Sequence, residues 1–273
     1  ALESLVNFGF WIRRRLPEDQ LPEVTNILAE RLAENAEIPL TRPEQALLAM
    51  HFENLCTLNR DWAAQQREIF FPQANEAVWR DAFGSYIRFN RPVKPTFEVL
   101  RGEFDYAIEN LNILVSENGD GKELIDRLGQ HLFTYYLWGV YPLTGDESLL
   151  ERFYDKTNDD RKRWGKLFDY VGRSLRNSGR QLEGTLTDRI IAFFEWRFEA
   201  AEPLELQEFT FWLEAECLGS EWRLQSYSKI LDLGRGKDVG LSHEVSALNK
   251  LLPNHLALVV ECFAKITDAL DQD

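Results

Sequence analysis

Apolar residues recur at steps of three and four along almost the whole chain, and no stretch shows the strict alternation of a half-buried strand. That period predicts helices. Start and stop signals punctuate them. Thr41-Arg42-Pro43-Glu44 supplies a cap, an early proline and a glutamate at the third helical position. The helix it opens carries Ala46, Leu47, Met50, Leu55 and Leu58. Asn59 caps the next, which carries Trp62 and Ile69–Phe70 and ends at Pro72. Residues 75–89 form another, closed by Pro92, and Pro95 opens a long helix through Val115. Asn118-Gly119-Asp120-Gly121 breaks the pattern, and an apolar helix follows over 122–140. After Pro142 and Gly145 come helices over 146–156, 159–177 and 185–201. Pro203 then separates 204–218, and the last three run over 220–233, 242–252 and 254–270.

The sum is about fourteen helices joined by short links, and short links make neighbours antiparallel. Most keep a polar face, which argues against one closed bundle. The expectation is an all-α fold: an irregular HEAT- or armadillo-like α-solenoid of antiparallel helix pairs. No strict repeat period is present, so a regular tetratricopeptide or ankyrin array is excluded. Two regions are expected, N-terminal helical repeats over 1–117 and a second helical region over 118–273, continuous with the first. The chain opens inside a helical pattern (Leu2, Leu5, Val6, Ile12) without an initiator methionine. The expectation is a piece of a longer multidomain protein.

Composition narrows the partners. A hydrophobic fraction of 44% with 12% aromatic residues provides for a substantial core and argues against disorder. The net charge of −14 repels polyanions, so nucleic acid and anionic membrane are disfavoured as partners. No apolar run reaches the roughly 18 residues that a membrane span needs. The three cysteines (Cys56, Cys217, Cys262) are far apart, odd in number and set in apolar patterns, which suits buried thiols in a reducing cytoplasm.

No motif identifies a reaction or a cofactor. Gly119-Asp120-Gly121-Lys122-Glu123 lacks the spacing, the Ser/Thr and the preceding strand of a phosphate loop. As a calcium loop it would place Ser116 and Arg127 where acids are needed. It reads as a turn, with Asp120 capping the next helix. The histidines (His51, His131, His243, His255) fall on separate helices, with no paired spacing for a metal. There is no G-x-S-x-G, and no local Cys–His dyad. A non-enzymatic reading follows.

The sharpest charge feature lies over 159–177. Trp164, Leu167, Phe168, Val171 and Leu175 form an apolar stripe, and Lys162, Lys166, Arg173, Arg176 and the following Arg180 form a basic one. Gly165 and Gly172 thin the helix for a close neighbour. The basic loop Gly234-Arg235-Gly236-Lys237 adds two cations. The candidate partner-binding residues are therefore Lys162, Lys166, Arg173, Arg176, Arg180, Arg235 and Lys237. The alternative is a solvated face answered by neighbouring acids, which costs little to keep. Glu195, Glu199 and Glu202, then Glu205, Glu208 and Glu216, form the opposite feature, read as acidic ridges facing water. The aromatic frames between them, Phe194-x-Trp196-x-Phe198 and Phe209-x-Phe211-Trp212, read as a packing spine, because no polar groups converge among the rings.

About half the chain carries a resemblance. Tyr136-Leu137-Trp138-Gly139, Pro142-Leu143, Leu149-Leu150-Glu151-Arg152-Phe153-Tyr154, Val171-Gly172-Arg173-Ser174-Leu175 and Glu195-Trp196-Arg197 come in order. Glu205-Leu206-Gln207-Glu208-Phe209-x-Phe211-Trp212, Glu221-Trp222-x-Leu224, Leu251-Leu252-Pro253 and Val260-Glu261-Cys262-Phe263 follow. This order resembles the C-terminal HEAT-like helical region of large bacterial multidomain proteins. Many of those carry an upstream P-loop NTPase of the STAND kind or another effector, and several act in anti-phage defence. The Gly234–Asp238 insertion departs from that pattern. The resemblance implies a sensor or regulatory scaffold that binds a protein ligand or holds upstream domains of its own chain. The second reading is a nucleic-acid-binding solenoid, or an all-α enzyme with an unrecognised site.

Overall fold

A computed structural model describes residues 2–13, 15, 22–33, 40–115, 121–179, 182–200, 203–233 and 241–271. Among these the chain is all-helical, with no strand. The helices are α1 (Leu2–Arg13), α2 (Pro22–Leu32), α3 (Arg42–Met50), α4 (Phe52–Leu58), α5 (Arg60–Gln65), α6 (Arg67–Phe70), α7 (Glu76–Phe89), α8 (Lys94–Glu109) and α9 (Leu111–Leu114). Then come α10 (Gly121–Leu137), α11 (Leu149–Lys156), α12 (Arg161–Asn177), α13 (Gly184–Glu199), α14 (Pro203–Leu206), a 3-10 turn (Gln207–Phe209), α15 (Thr210–Leu213), α16 (Ser220–Asp232), α17 (Leu241–Leu251) and α18 (Leu256–Asp271).

The segments outnumber the expected helices because four of the expected ones are jointed. The breaks fall at His51, Gln66, Asn110 and Glu208. None is a proline or glycine, so no local signal marks them. At His51 the backbone N–H still reaches the carbonyls of Leu47 and Leu48, so the joint is a tightened turn. The starts behave as their caps dictate. Thr41 and Glu44 complete a reciprocal capping box at α3. Asn59 accepts from the Trp62 amide, Asn75 from Val78 and Ser148 from Glu151.

The chain divides into two compact units, Ala1–Tyr135 and Tyr136–Asp273, with the division inside α10. The 117/118 boundary expected above lies in residues 116–120, outside the described ones, as does the Gly119-Asp120 turn. In the first unit α3 packs on α7, and α4 on α1 and α8. Its core is a chain of aromatic rings: Phe52, Phe71, Phe83, Trp79, Tyr86, Phe104, Phe97 and Tyr135, each touching the next within about 6.4 Å or branching from it.

In the second unit α12 packs on α14, the 3-10 turn and α15, while α16 packs on α18 and α15 on α17. Phe168, Phe193, Phe194, Phe209 and Trp212 form its core, joined by the half-buried Trp196 and Trp222. α10 ends where Gly139 turns to φ +70°, a conformation that glycine adopts without penalty. Arg189 Nη1 then donates to the Leu137 carbonyl at 3.0 Å, and Tyr136 Oη donates to the Arg189 carbonyl at 2.7 Å. These two bonds fasten the end of α10 to α13.

Candidate interaction surface

α12 has two faces, and its sequence dictates both. Leu167, Phe168, Val171 and Leu175 are buried along one side. Gly172 lies on that side too. Its missing side chain lets the Trp212 indole sit directly on the helix, stacked on Phe168 at 4.7 Å between centroids. The indole N–H donates to the Phe168 carbonyl at 3.0 Å. A methyl group at Gly172 would meet Trp212 Cδ1 at 2.6 Å and Phe211 Cβ at 3.2 Å. Gly172→Ala is therefore expected to destabilise the chain by about 1–3 kcal/mol, outweighing the roughly 1 kcal/mol that alanine adds to helix propensity. The midpoint of urea unfolding checks this, and a rise in the midpoint would contradict the close approach.

Lys162, Lys166, Arg173 and Arg176 all point outward and are exposed. The structure thus brings four of the seven expected residues onto one face. Arg180, Arg235 and Lys237 lie outside the described residues. The four are not equivalent. Arg173 Nε pairs with Asp169 at 2.7 Å, and its guanidinium lies 4.3 Å from the Phe211 ring centroid. Arg176 pairs with Glu214 at 3.4 Å and covers the same ring at 4.5 Å. Glu214 also takes Lys250 at 3.3 Å. The C-terminal half of the stripe is thus answered by acids and an aromatic ring of its own unit. Lys162 and Lys166 stand exposed on the N-terminal half, and Lys166 too has an interaction within the chain.

The ridges expected to face water do so at every described position but one, and Glu202 lies outside the described residues. Glu195, Glu199, Glu208 and Glu216 are exposed, but Glu205 is fully buried. It accepts from Arg197 at 2.9 and 3.0 Å through Nε and at 2.7 Å through Nη2, and from Tyr154 Oη at 3.2 Å. The Arg197 guanidinium carbon lies 3.9 Å from the Tyr154 ring centroid, 4.7 Å from Trp196 and 4.8 Å from Trp164. Polar groups do converge among these rings, and they are the protein's own. The arrangement is a cation cage already filled. A buried carboxylate needs that compensation, since desolvating it alone is costly.

Glu208 is exposed as a residue, yet partial burial of its carboxyl, with Asp169 and Glu244 beside it, raises its pKa against the pull of Arg173. The three cysteines are free. Burial pushes Cys56 up to about 12 and Cys262 up to about 11, so both are neutral thiols, while Cys217 is half-buried.

Two hydroxyl pairs come together that the sequence does not advertise. Ser220 Oγ lies 2.7 Å from His255 Nε2, joining the first turn of α16 to the residue before α18. Among the described residues no carboxylate hydrogen-bonds to His255, so the imidazole has no orienting acid. Lys265 Nζ donates to Ser228 Oγ at 2.7 Å, and Ser228 donates to Glu261 at 2.6 Å. A lysine that activates serine must lose its proton. Here the hydrogen bond that Lys265 donates to Asp232, with Glu261 beside it, raises Lys265 above its ordinary value and keeps it cationic. That cluster is a polar clamp between α16 and α18. No group of three or more metal-ligating side chains occurs among the described residues, and no described helix is long and apolar enough to cross a membrane.

Comparison with known proteins adds no identity: no family model, curated protein or solved structure matches the chain.

Proposed function

We propose that the chain is a helical-repeat interaction scaffold, a sensor or regulatory region of a larger bacterial protein, which docks an acidic protein surface on the N-terminal half of α12. The partner is a separate protein ligand or another domain of the same chain. The observation that carries this reading is the asymmetry of α12. Its inner face is held rigidly by Trp212 on Gly172, while Lys162 and Lys166 project from the outer face. A rigid element presenting exposed charge favours recognition without rearrangement. The irregular, HEAT-like pairing of helices and the defence context belong to this proposal. They rest on the short links between helices and on the resemblance over residues 136–270. The acids that answer Arg173 and Arg176 weaken the case for nucleic acid, which needs a continuous run of available cations.

The variant Lys162→Glu with Lys166→Glu tests it. Both residues are exposed, so unfolding should shift by no more than about 1 kcal/mol. Proteins retained by the immobilised wild-type chain are identified, purified and titrated against both forms. The proposal expects the purified partner to bind the variant at least about tenfold more weakly, which corresponds to 1.4 kcal/mol. Equal affinity for both forms, or retention of nucleic acid alone, contradicts it.

A further inference from the structure

The first unit contains a cavity of about 300 Å³ between the turn that joins α6 to α7 and the side of α8. Its polar lining is Arg67, Glu68, Gln73 and Glu103, and the ring of Phe71 forms an apolar wall. Glu103 is 1% exposed. Its Oε2 is saturated, accepting from Trp79 Nε1 at 2.8 Å and from Gln73 Nε2 at 3.0 Å. Its Oε1 faces Arg67 Nε at 3.5 Å, a distance and direction that make an ion pair but no hydrogen bond. Arg67 also reaches Glu68 at 3.4 Å, the long limit of a hydrogen bond. The site thus keeps one carboxylate oxygen and most of a guanidinium underused beside an apolar ring.

The charge pattern selects a ligand. A simple anion would meet two carboxylates, and a simple cation would meet the guanidinium. A zwitterion satisfies both, because its ammonium can donate to Glu103 Oε1 while its carboxylate takes the terminal nitrogens of Arg67. The volume suits a molecule of amino-acid size, at the small end of ligand cavities. We propose that this cavity binds a free α-amino acid, with its ammonium on Glu103, its carboxylate on Arg67 and its side chain against Phe71. This site lies in a different unit from the α12 surface and stands or falls separately from it.

The test is calorimetric titration of the whole chain with each standard L-amino acid in turn, followed by Arg67→Gln and Glu103→Gln. The expected result is saturable binding of at least one amino acid below about 1 mM. Its α-amide and N-acetyl derivatives, which each lack one charge, should bind at least about tenfold more weakly. Arg67 lies at the rim, so Arg67→Gln should keep its helical circular dichroism and lose at least about tenfold in affinity. No saturable binding of any amino acid up to about 10 mM overturns the proposal. So does full affinity in the folded Arg67→Gln protein.

Discussion

Arg197→Met is expected to cost the folded chain about 3–5 kcal/mol, the largest loss of any single substitution considered for the second unit. Arg197 is 4% exposed and Glu205 is 0% exposed. The guanidinium donates three times to that carboxylate and lies among three aromatic rings. Methionine fills much of the space but leaves Glu205 in an apolar setting with its guanidinium gone. A buried charge that loses its counter-ion costs more than the intact pair contributes. The same reasoning gives a second, opposite expectation. Arg197→Met combined with Glu205→Leu should recover most of the loss, because apolar groups of similar volume replace a buried pair at little cost. Urea unfolding at constant slope measures both. A single-variant loss below about 1 kcal/mol would place the pair in solvent.

Acid is expected to weaken the first unit through His131. This imidazole is buried, 4% exposed, and that burial lowers its pKa to about 4, against a smaller upward pull from the backbone at Ile87 and Asn90. In the unfolded chain a histidine titrates near 6.5. Between about pH 6.5 and pH 4 the unfolded state therefore holds the extra proton, and stability falls as pH falls. The whole window is worth about 3 kcal/mol. Glu208, with its raised pKa, acts in the opposite direction, since protonating it relieves a strained carboxylate as the solution becomes acidic. Glu44 is held down to about 2 by its bonds with Thr41 and Arg31, so its contribution fades only below the ordinary carboxylate range. Comparing wild type with His131→Phe from pH 7.5 to 4.5 separates these effects. The wild type should lose stability steeply and the variant should show a flatter profile. Parallel profiles would mean that His131 is hydrated.

The helix period and the polar caps carried much of the fold. Thr41 and Asn59 cap where their side chains and spacing predict, because capping is decided within four residues. The joints at His51, Gln66, Asn110 and Glu208 were not legible. Each residue is compatible with a helix, and packing by distant segments decides where the axis bends. On α12 the inner and outer faces could be read from spacing alone. What Arg173 and Arg176 do could not, since Phe211 and Glu214 lie 38 residues further on. Glu205 misled for the same reason. It shares a three-residue spacing with the exposed Glu208, but Tyr154 and Arg197 come from earlier helices and enclose it. Glu103 did leave a signal. It stands three residues after Leu100 and four before Ala107, on the buried stripe of α8, where a carboxylate demands partners.

The central claim is that α12 presents its outer face to a protein. A photo-crosslinking amino acid at position 166, introduced into the protein in its native cells, tests this most directly. Position 195, equally exposed on α13, serves as the control. The account predicts a discrete protein adduct from position 166 that position 195 does not give. Identical weak patterns from both positions, or an adduct with nucleic acid alone, would contradict it.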